Sequence, residues 1–353
     1  MRKRKPTIDD VAALSGVARA TVSRALNGGP NVSEKVRERV LGAVEKLDYK
    51  VNLQARFLAG GISRTITLVH VSSVDEEPNS YYNAGLELGA VRACAERGFS
   101  LGTIVLNPKS KSSRDRLIAL AAEGRTDGVI LTPPYSDDLD LVEELTKLQK
   151  PVVCISAGMA ARDNACSVGI DDGAAGQAIA EFLIGCGHRR FGYIDGPEEH
   201  FSAAERLLGF QGALAKHGIP ADAIAIARGN FTFKSGIEKA ELLLNSDHDL
   251  TALVCANDDM AAGALLVAHR HGLDVPGDIS ITGFDDTPVS AIVWPPLTTI
   301  HQPIRQIGER AVARLVEAIS SGANTLPSGF DPVPYRLVER ESVGTARLEA
   351  LRS

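Results

Sequence analysis

Two hydrophobic rhythms divide the chain. Over the first fifty residues apolar positions recur at helical spacing. Ile8, Val11, Ala12 and Leu14–Ser15 give one face of a first short helix. Thr7 can cap it, and Asp9 and Asp10 sit in its first turn near the positive helix end. Gly16 breaks the run. Ala18 to Leu26 predicts a second helix with Val22, Ala25 and Leu26 inward, and Asn27-Gly28-Gly29-Pro30 ends it. Ser33 caps a third helix, in which Val36, Val40, Val44 and Leu47 form one buried stripe.

From Arg64 onward strand and helix signals alternate. Strands are predicted over 65–71, 101–106, 128–132, 151–156, 190–194, 252–256 and 279–283. Helices are predicted over 84–97, 112–123, 139–148, 174–184, 203–217 and 259–271. Repeated strand–helix units imply parallel sheets covered by helices, enough here for two doubly wound lobes. The expected fold is thus a helical helix-turn-helix domain followed by an α/β body of two lobes. The expected division is 1–50 for the head, 51–61 for a hinge or linker, 62–345 for the body and 346–353 for a short tail. Lobe one would take about 62–168 with 300–330, and lobe two about 169–299 with 331–345.

Charge sharpens this division. The net charge of -6 hides an asymmetry: residues 1–60 hold 12 Lys and Arg against 6 Asp and Glu, and the rest holds 26 against 38. A basic head on an acidic body implies that the head meets a polyanion. A solvated basic arm would explain Arg2 to Lys5, but not Arg19, Arg24, Lys35, Arg37 and Arg39, which lie inside the helical pattern. Two short helices joined at a glycine and braced by a third make a helix-turn-helix, whose second helix would enter the major groove. Its outward residues are Arg19, Ala20, Ser23 and Arg24, with Thr21 near its start. Arginine offers two donors to guanine, so Arg24 is the best candidate for base reading. Thr21, Ser23 and Asn27 suit phosphates. The bland alternative is a plain three-helix bundle with a solvated arginine face.

The run Thr7-Ile-Asp-Asp-Val-Ala-Ala-Leu-Ser-Gly-Val-Ala-Arg-Ala-Thr-Val-Ser-Arg-Ala-Leu-Asn27 resembles the head of the lactose-repressor (LacI/GalR) family almost throughout. The resemblance implies that Arg19, Ala20 and Arg24 occupy base-reading positions and that a dimer binds a palindromic operator. It also implies a hinge helix over Val51 to Gly61 that folds on DNA, with Asn52 and Ala55 at the DNA and Leu58 wedged into a base step. Val51 stands where the family usually has proline, so ordering this hinge costs more here. The bland reading of the segment is a flexible linker, since eleven residues make a marginal helix.

In doubly wound sheets ligands bind beyond the carboxyl ends of strands. Those ends carry Ser156, Asp195-Gly-Pro197, Asn257-Asp258-Asp259 and Asp285-Asp286. Asp259 reads as a helix cap, and Asn257 and Asp285 as functional. Gly187-His-Arg-Arg-Phe-Gly-Tyr-Ile194, Arg206-Leu-Leu-Gly-Phe210, Ala256-Asn-Asp-Asp-Met-Ala-Ala-Gly263, Gly283-Phe-Asp-Asp286 and Pro296-Leu-Thr-Thr-Ile300 resemble the periplasmic-binding-protein-like core of the same family. That resemblance implies effector contacts from Arg206, Asn257 and Asp285, together with Phe231 and Gln302. Tyr81 and Tyr82 match an aromatic edge from the first lobe, and Ser156 falls at a contact position that varies between members. An arginine fork, an amide and a carboxylate suit adjacent hydroxyls, and aromatic faces suit a sugar ring. A nucleobase or small acid is the alternative ligand, and induction and corepression both stay open. The alternative for Arg206 is a surface arginine paired with Glu205.

No catalytic pair, metal cluster or phosphate loop supports an enzyme, and no cofactor is expected. His188 reads as structural. The five cysteines are isolated and suit a reducing cytoplasm. The basic N-terminus leads into Thr7-Ile-Asp-Asp10 and not an apolar run, which argues against export and against a periplasmic sugar-binding protein. No run of 18 apolar residues suggests a membrane span. The tail is too short for a tetramerising coiled coil, so a cytoplasmic homodimer, at the nucleoid when operator-bound, is expected.

Overall fold

The computed structural model describes residues 6–26, 32–47, 49, 63–71, 80–107, 110–246 and 249–347. The chain forms two compact units, Met1–Ser63 and Arg64–Ser353. Asn27, Asn52, Ala55 and Leu58, with the whole expected hinge, lie outside the described residues.

The first unit holds helices α1 (Ile8–Ser15), α2 (Arg19–Leu26) and α3 (Glu34–Leu47). Val11, Val22, Ala25, Val40, Ala43 and Tyr49 form its core. Leu14 does not belong to the buried face as expected: it is 51% exposed. Ser15 takes the inward position instead and returns its hydroxyl to the Val11 carbonyl at 2.7 Å. Thr7 and Asp10 form a reciprocal capping box at the start of α1. Gly16 ends α1 in the left-handed region at φ 64°, which a side chain would strain. Two of the head's arginines serve these helix ends. Arg39 Nη2 donates to the Ser15 carbonyl at 2.5 Å, and Arg37 Nη1 donates to the Ala25 carbonyl at 2.9 Å. They satisfy C-terminal carbonyls that the helices leave unpaired.

The second unit begins with β1 (Thr65–Val71), α4 (Ser80–Glu96), β2 (Ser100–Leu106), α5 (Lys111–Ala122), β3 (Gly128–Leu131), α6 (Leu139–Lys147), β4 (Val152–Ile155), α7 (Met159–Arg162) and β5 (Cys166–Gly169). It continues with α8 (Asp172–Gly185), β6 (Phe191–Asp195), α9 (Phe201–Lys216), β7 (Ile224–Arg228), α10 (Phe233–Leu244), β8 (Ala252–Cys255), α11 (Asp258–Arg270) and β9 (Ser280–Thr282). Last come α12 (Pro288–Ile292), β10 (Thr299–His301), α13 (Ile304–Ser321), β11 (Gly329–Pro332) and β12 (Arg336–Val338).

One sheet runs β11-β5-β4-β3-β1-β2 and the other β7-β6-β8-β9, with parallel pairing in both. β3 and β4 are buried at every residue, as a sheet covered on both faces requires. The chain passes between lobes at three places: from β5 into α8, from β10 into α13, and from β11 into β12, which pairs with β10.

Helix α9 is drawn tightly onto α8 because glycines remove side chains from the contact. A Cβ on Gly176 would collide with the Arg206 carbonyl, and one on Gly209 with the Gly173 carbonyl. This approach places Arg206 beside Asp172, the first residue of α8.

Candidate ligand cleft and nucleic-acid face

Arg206 is buried, not a surface residue paired with Glu205. Its Nε donates to Asp172 Oδ1 at 2.8 Å, and its Nη1 donates to the Ala256 carbonyl at 2.9 Å. The guanidinium lies 3.7 Å from the centroid of the Phe284 ring. Burial works against its charge, but Asp172 and Asp285 outweigh that and raise its pKa.

Asp285 follows β9 with φ at 104°, a region rarely adopted by residues with side chains. The bend is held by its amide, which donates to the Ile300 carbonyl, and by its carbonyl, which accepts the Gln302 amide. The Gln302 side chain donates to Asp285 Oδ1 at 2.6 Å. Gln302 Oε1 is buried with no hydrogen-bond partner among the described residues. Burial pushes the Asp285 carboxyl up to about 7, against the pull of Arg206. Ser156 and Phe231 also have positive φ, at 46° and 65°. Three of the expected ligand residues therefore hold strained backbone, a feature that collects at functional sites.

Lobe one supplies Tyr82 and Ser156, whose oxygens lie 3.4 Å apart. Burial pushes the Tyr82 phenol up to about 12, and Asp285, Asp172 and Arg206 also act on it. Its neighbour Tyr81 lies about 100° further round α4 and is 40% exposed.

Asn257 caps α11: its Oδ1 accepts the Met260 amide at 3.0 Å. Its Nδ2 donates to the Phe231 carbonyl at 2.9 Å. The cap is thus Asn257 and not Asp259, as the sequence had suggested. Asn257 thereby fixes Phe231, whose ring also fills the space beside Gly196 that a Cβ would need.

Two residues that sequence reasoning missed complete the surroundings. Asp172 balances Arg206. His200 packs edge-on against Phe231 at 5.2 Å, and burial, with the nearby Arg206 charge, lowers its pKa to about 4. Asp172 reads as part of a helix start, and only the Gly176–Arg206 approach marks it. Asp258, at a strand end, is buried and structural: it accepts from Thr299 Oγ1 at 2.6 Å and from the Thr287 amide at 2.7 Å. His188 bridges Thr251 Oγ1 and the Gly344 carbonyl, both at 3.0 Å, a structural role.

In the head, α2 presents Arg19, Ala20 and Arg24 to solvent, with Thr21 and Ser23 half-buried at its flanks. Arg24 Nε returns to the Ala20 carbonyl at 3.3 Å, and Arg19 lies 3.7 Å from Asp9 in an exposed pair. Such a pair is weak in water and yields readily to a phosphate or base. The Thr7 hydroxyl is engaged in the capping box.

Comparison with known proteins adds to this geometry. Residues 7–52 match the model of bacterial regulatory proteins of the lacI family, and residues 180–343 match that of a periplasmic binding protein-like domain. The chain is 35% identical over 327 residues to the HTH-type transcriptional regulator CelR of Thermobifida fusca, covering 92% of this chain and 95% of that protein. The solved transcriptional regulator CelR–cellobiose complex superposes with a TM-score of 0.69 at 32% identity, covering 96% of this chain and 99% of that one. The lac repressor dimer bound to operator and the anti-inducer ONPF superposes with a TM-score of 0.80 at 29% identity, covering 97% and 100%. Among the described residues no helix is long and apolar enough to cross a membrane.

Proposed function

The chain belongs to the LacI family of bacterial regulatory proteins, and from that premise we propose how it works as a transcriptional repressor and not an enzyme. A homodimer binds a palindromic operator in double-stranded DNA. Each head places α2 in the major groove, with Arg24 and Arg19 reading bases beside Ala20, and Thr7, Thr21, Ser23 and Asn27 at the backbone. Residues 51–61 form the hinge, with Asn52, Ala55 and Leu58 at the DNA. Residues 62–345 bind the effector and the second copy. The exposed apolar residues Val91, Val105, Ile292 and Trp294 supply surface for that pairing. The chain works in the cytoplasm, at the nucleoid when operator-bound.

The effector is a sugar held between the lobes by Tyr82, Ser156, Arg206, Phe231, Asn257, Asp285 and Gln302, with Tyr81 at the rim. The observation that carries this reading is the gathering of buried Arg206, Asp285 and Gln302 at strand ends of lobe two, with Tyr82 and Ser156 paired at 3.4 Å in lobe one. A ligand touching both sets favours the closed body, and it shifts DNA affinity only by its preference for one state. CelR is solved with cellobiose, and a related sugar is the first ligand to try here. A footprint of the full chain on DNA from its own promoter region, with and without cellobiose, tests the proposal. A protected palindrome that the sugar clears supports it. No protection at low salt on any nearby DNA would sink it.

A further inference from the structure

Four charged side chains meet where the two lobes touch. Arg162 ends α7, which lies between β4 and β5 of the first sheet. Asp172 opens α8, and Glu205 and Arg206 lie on α9, all on the second lobe. Arg162 Nη2 is 2.9 Å from Glu205 Oε2 and 3.7 Å from Asp172 Oδ2. On its own side Arg162 is anchored twice. Its Nε donates to the Ala157 carbonyl at 2.6 Å, and its guanidinium lies 4.1 Å from the centroid of the Phe330 ring on β11.

Glu205 has a second grip on lobe one: its Oε1 accepts the Met159 amide at 2.7 Å. The lobes approach closely here, because a Cβ on Gly158 would run into Phe201 at 2.7 Å. One carboxylate of lobe two therefore accepts a backbone N–H from lobe one and lies in ion-pair contact with a guanidinium, whose Nη2 is not aligned to hydrogen-bond it. The Arg162 and Glu205 side chains are only 11% and 15% exposed, so water screens the pair little. Asp172 extends the link. One of its oxygens holds Arg206, and the other faces Arg162.

We propose that Arg162 and Glu205 form an interlobe latch that holds the body closed around the cleft containing Arg206. Its regulatory meaning rests on reading Arg206 as the ligand arginine, but the latch itself needs neither ligand nor DNA. Breaking it leaves a buried charge uncompensated and moves the lobes toward an open state. The latch is thus a set-point: its strength fixes how much of the unliganded protein is already closed, and so how much affinity a ligand spends on closure.

Hydrogen exchange of the full chain without ligand tests this. In the wild type the Met159 amide and the segments 156–162 and 201–206 should exchange slowly. Arg162→Met, which keeps an apolar stem over Phe330, and Glu205→Gln should each speed exchange in those segments about tenfold or more, with β3 and β8 unchanged. Wild-type exchange at the seam in both single variants would overturn the latch. So would acceleration spread equally over β3 and β8, which marks a general loss of stability. A chain that bound no DNA would remove the repressor reading and leave this measurement intact.

Discussion

Arg206 Nε and Asp172 Oδ1 meet at 2.8 Å with both side chains withdrawn from water, so the arginine expected to hold the ligand also holds the fold. Removing one member leaves the other as a buried unpaired charge. Arg206→Ala should therefore lower the unfolding free energy by about 3–5 kcal/mol, as well as abolish the ligand response. The combination of Arg206→Ala with Asp172→Ala should cost clearly less than the two single changes added together. Urea unfolding of the four proteins checks this, and strict additivity would show that the pair is not coupled.

Asp285 gives the body a pH signature. Its carboxyl is raised from 3.8 to about 7 by burial. A group raised in the folded state contributes stability below its unfolded pKa, and that contribution is lost as pH rises through the folded value. Between pH 5.5 and 8 the urea midpoint should therefore fall, and Asp285→Asn should flatten that part of the slope. An unchanged slope in the variant would place the titration elsewhere.

Two arginines of the head should behave differently on DNA. Arg24→Ala should weaken operator binding by about 1–3 kcal/mol and leave random DNA nearly unaffected. Arg39→Ala removes the donor on the Ser15 carbonyl at the end of α1. It should lower the melting temperature of the head and weaken both kinds of binding alike. Fluorescence anisotropy on the two DNAs, beside a thermal melt, separates these outcomes.

Gly209→Ala should push α9 away from α8, because its Cβ has no space beside the Gly173 carbonyl. A cost of about 1–3 kcal/mol is expected, together with weaker ligand binding, since Arg206 and Asp172 would be drawn apart. Gly212→Ala, on the same helix with open space around it, is the control: it should leave ligand binding unchanged and raise stability by up to about 1 kcal/mol through helix propensity.

Much of this was legible in the sequence because it depends on short-range pattern. The cap at Thr7, the break at Gly16 and the strands expected over 65–71 and 252–256 follow from local periodicity and turn chemistry. The sequence pattern does not mark strands β5 and β7: Cys166–Gly169 is only four residues long and half Ser and Gly, and Ile224–Arg228 is diluted by alanine. Helix α13 is outside the sequence-based expectation too, although Ile304, Ile307, Ala311, Leu315 and Ala318 make a clear stripe. At the cleft, residue types at strand ends pointed to Asp285, but its partners lie far along the chain. The Asp172–Arg206 pair spans 34 positions, and no local signal in a single sequence joins them. The reassignment of the cap from Asp259 to Asn257 has a similar origin. Both residues can cap a helix, and only the fold shows which one begins it.

The most direct measurement is anisotropy of labelled promoter DNA bound by the full chain, followed as cellobiose, lactose or ribose is added. A sugar that shifts the operator affinity of the wild type, with no shift in a folded Arg206→Lys variant, is the expected result. Tight operator binding that no sugar alters, or an equal response in the variant, would contradict control of the head through the cleft around Arg206.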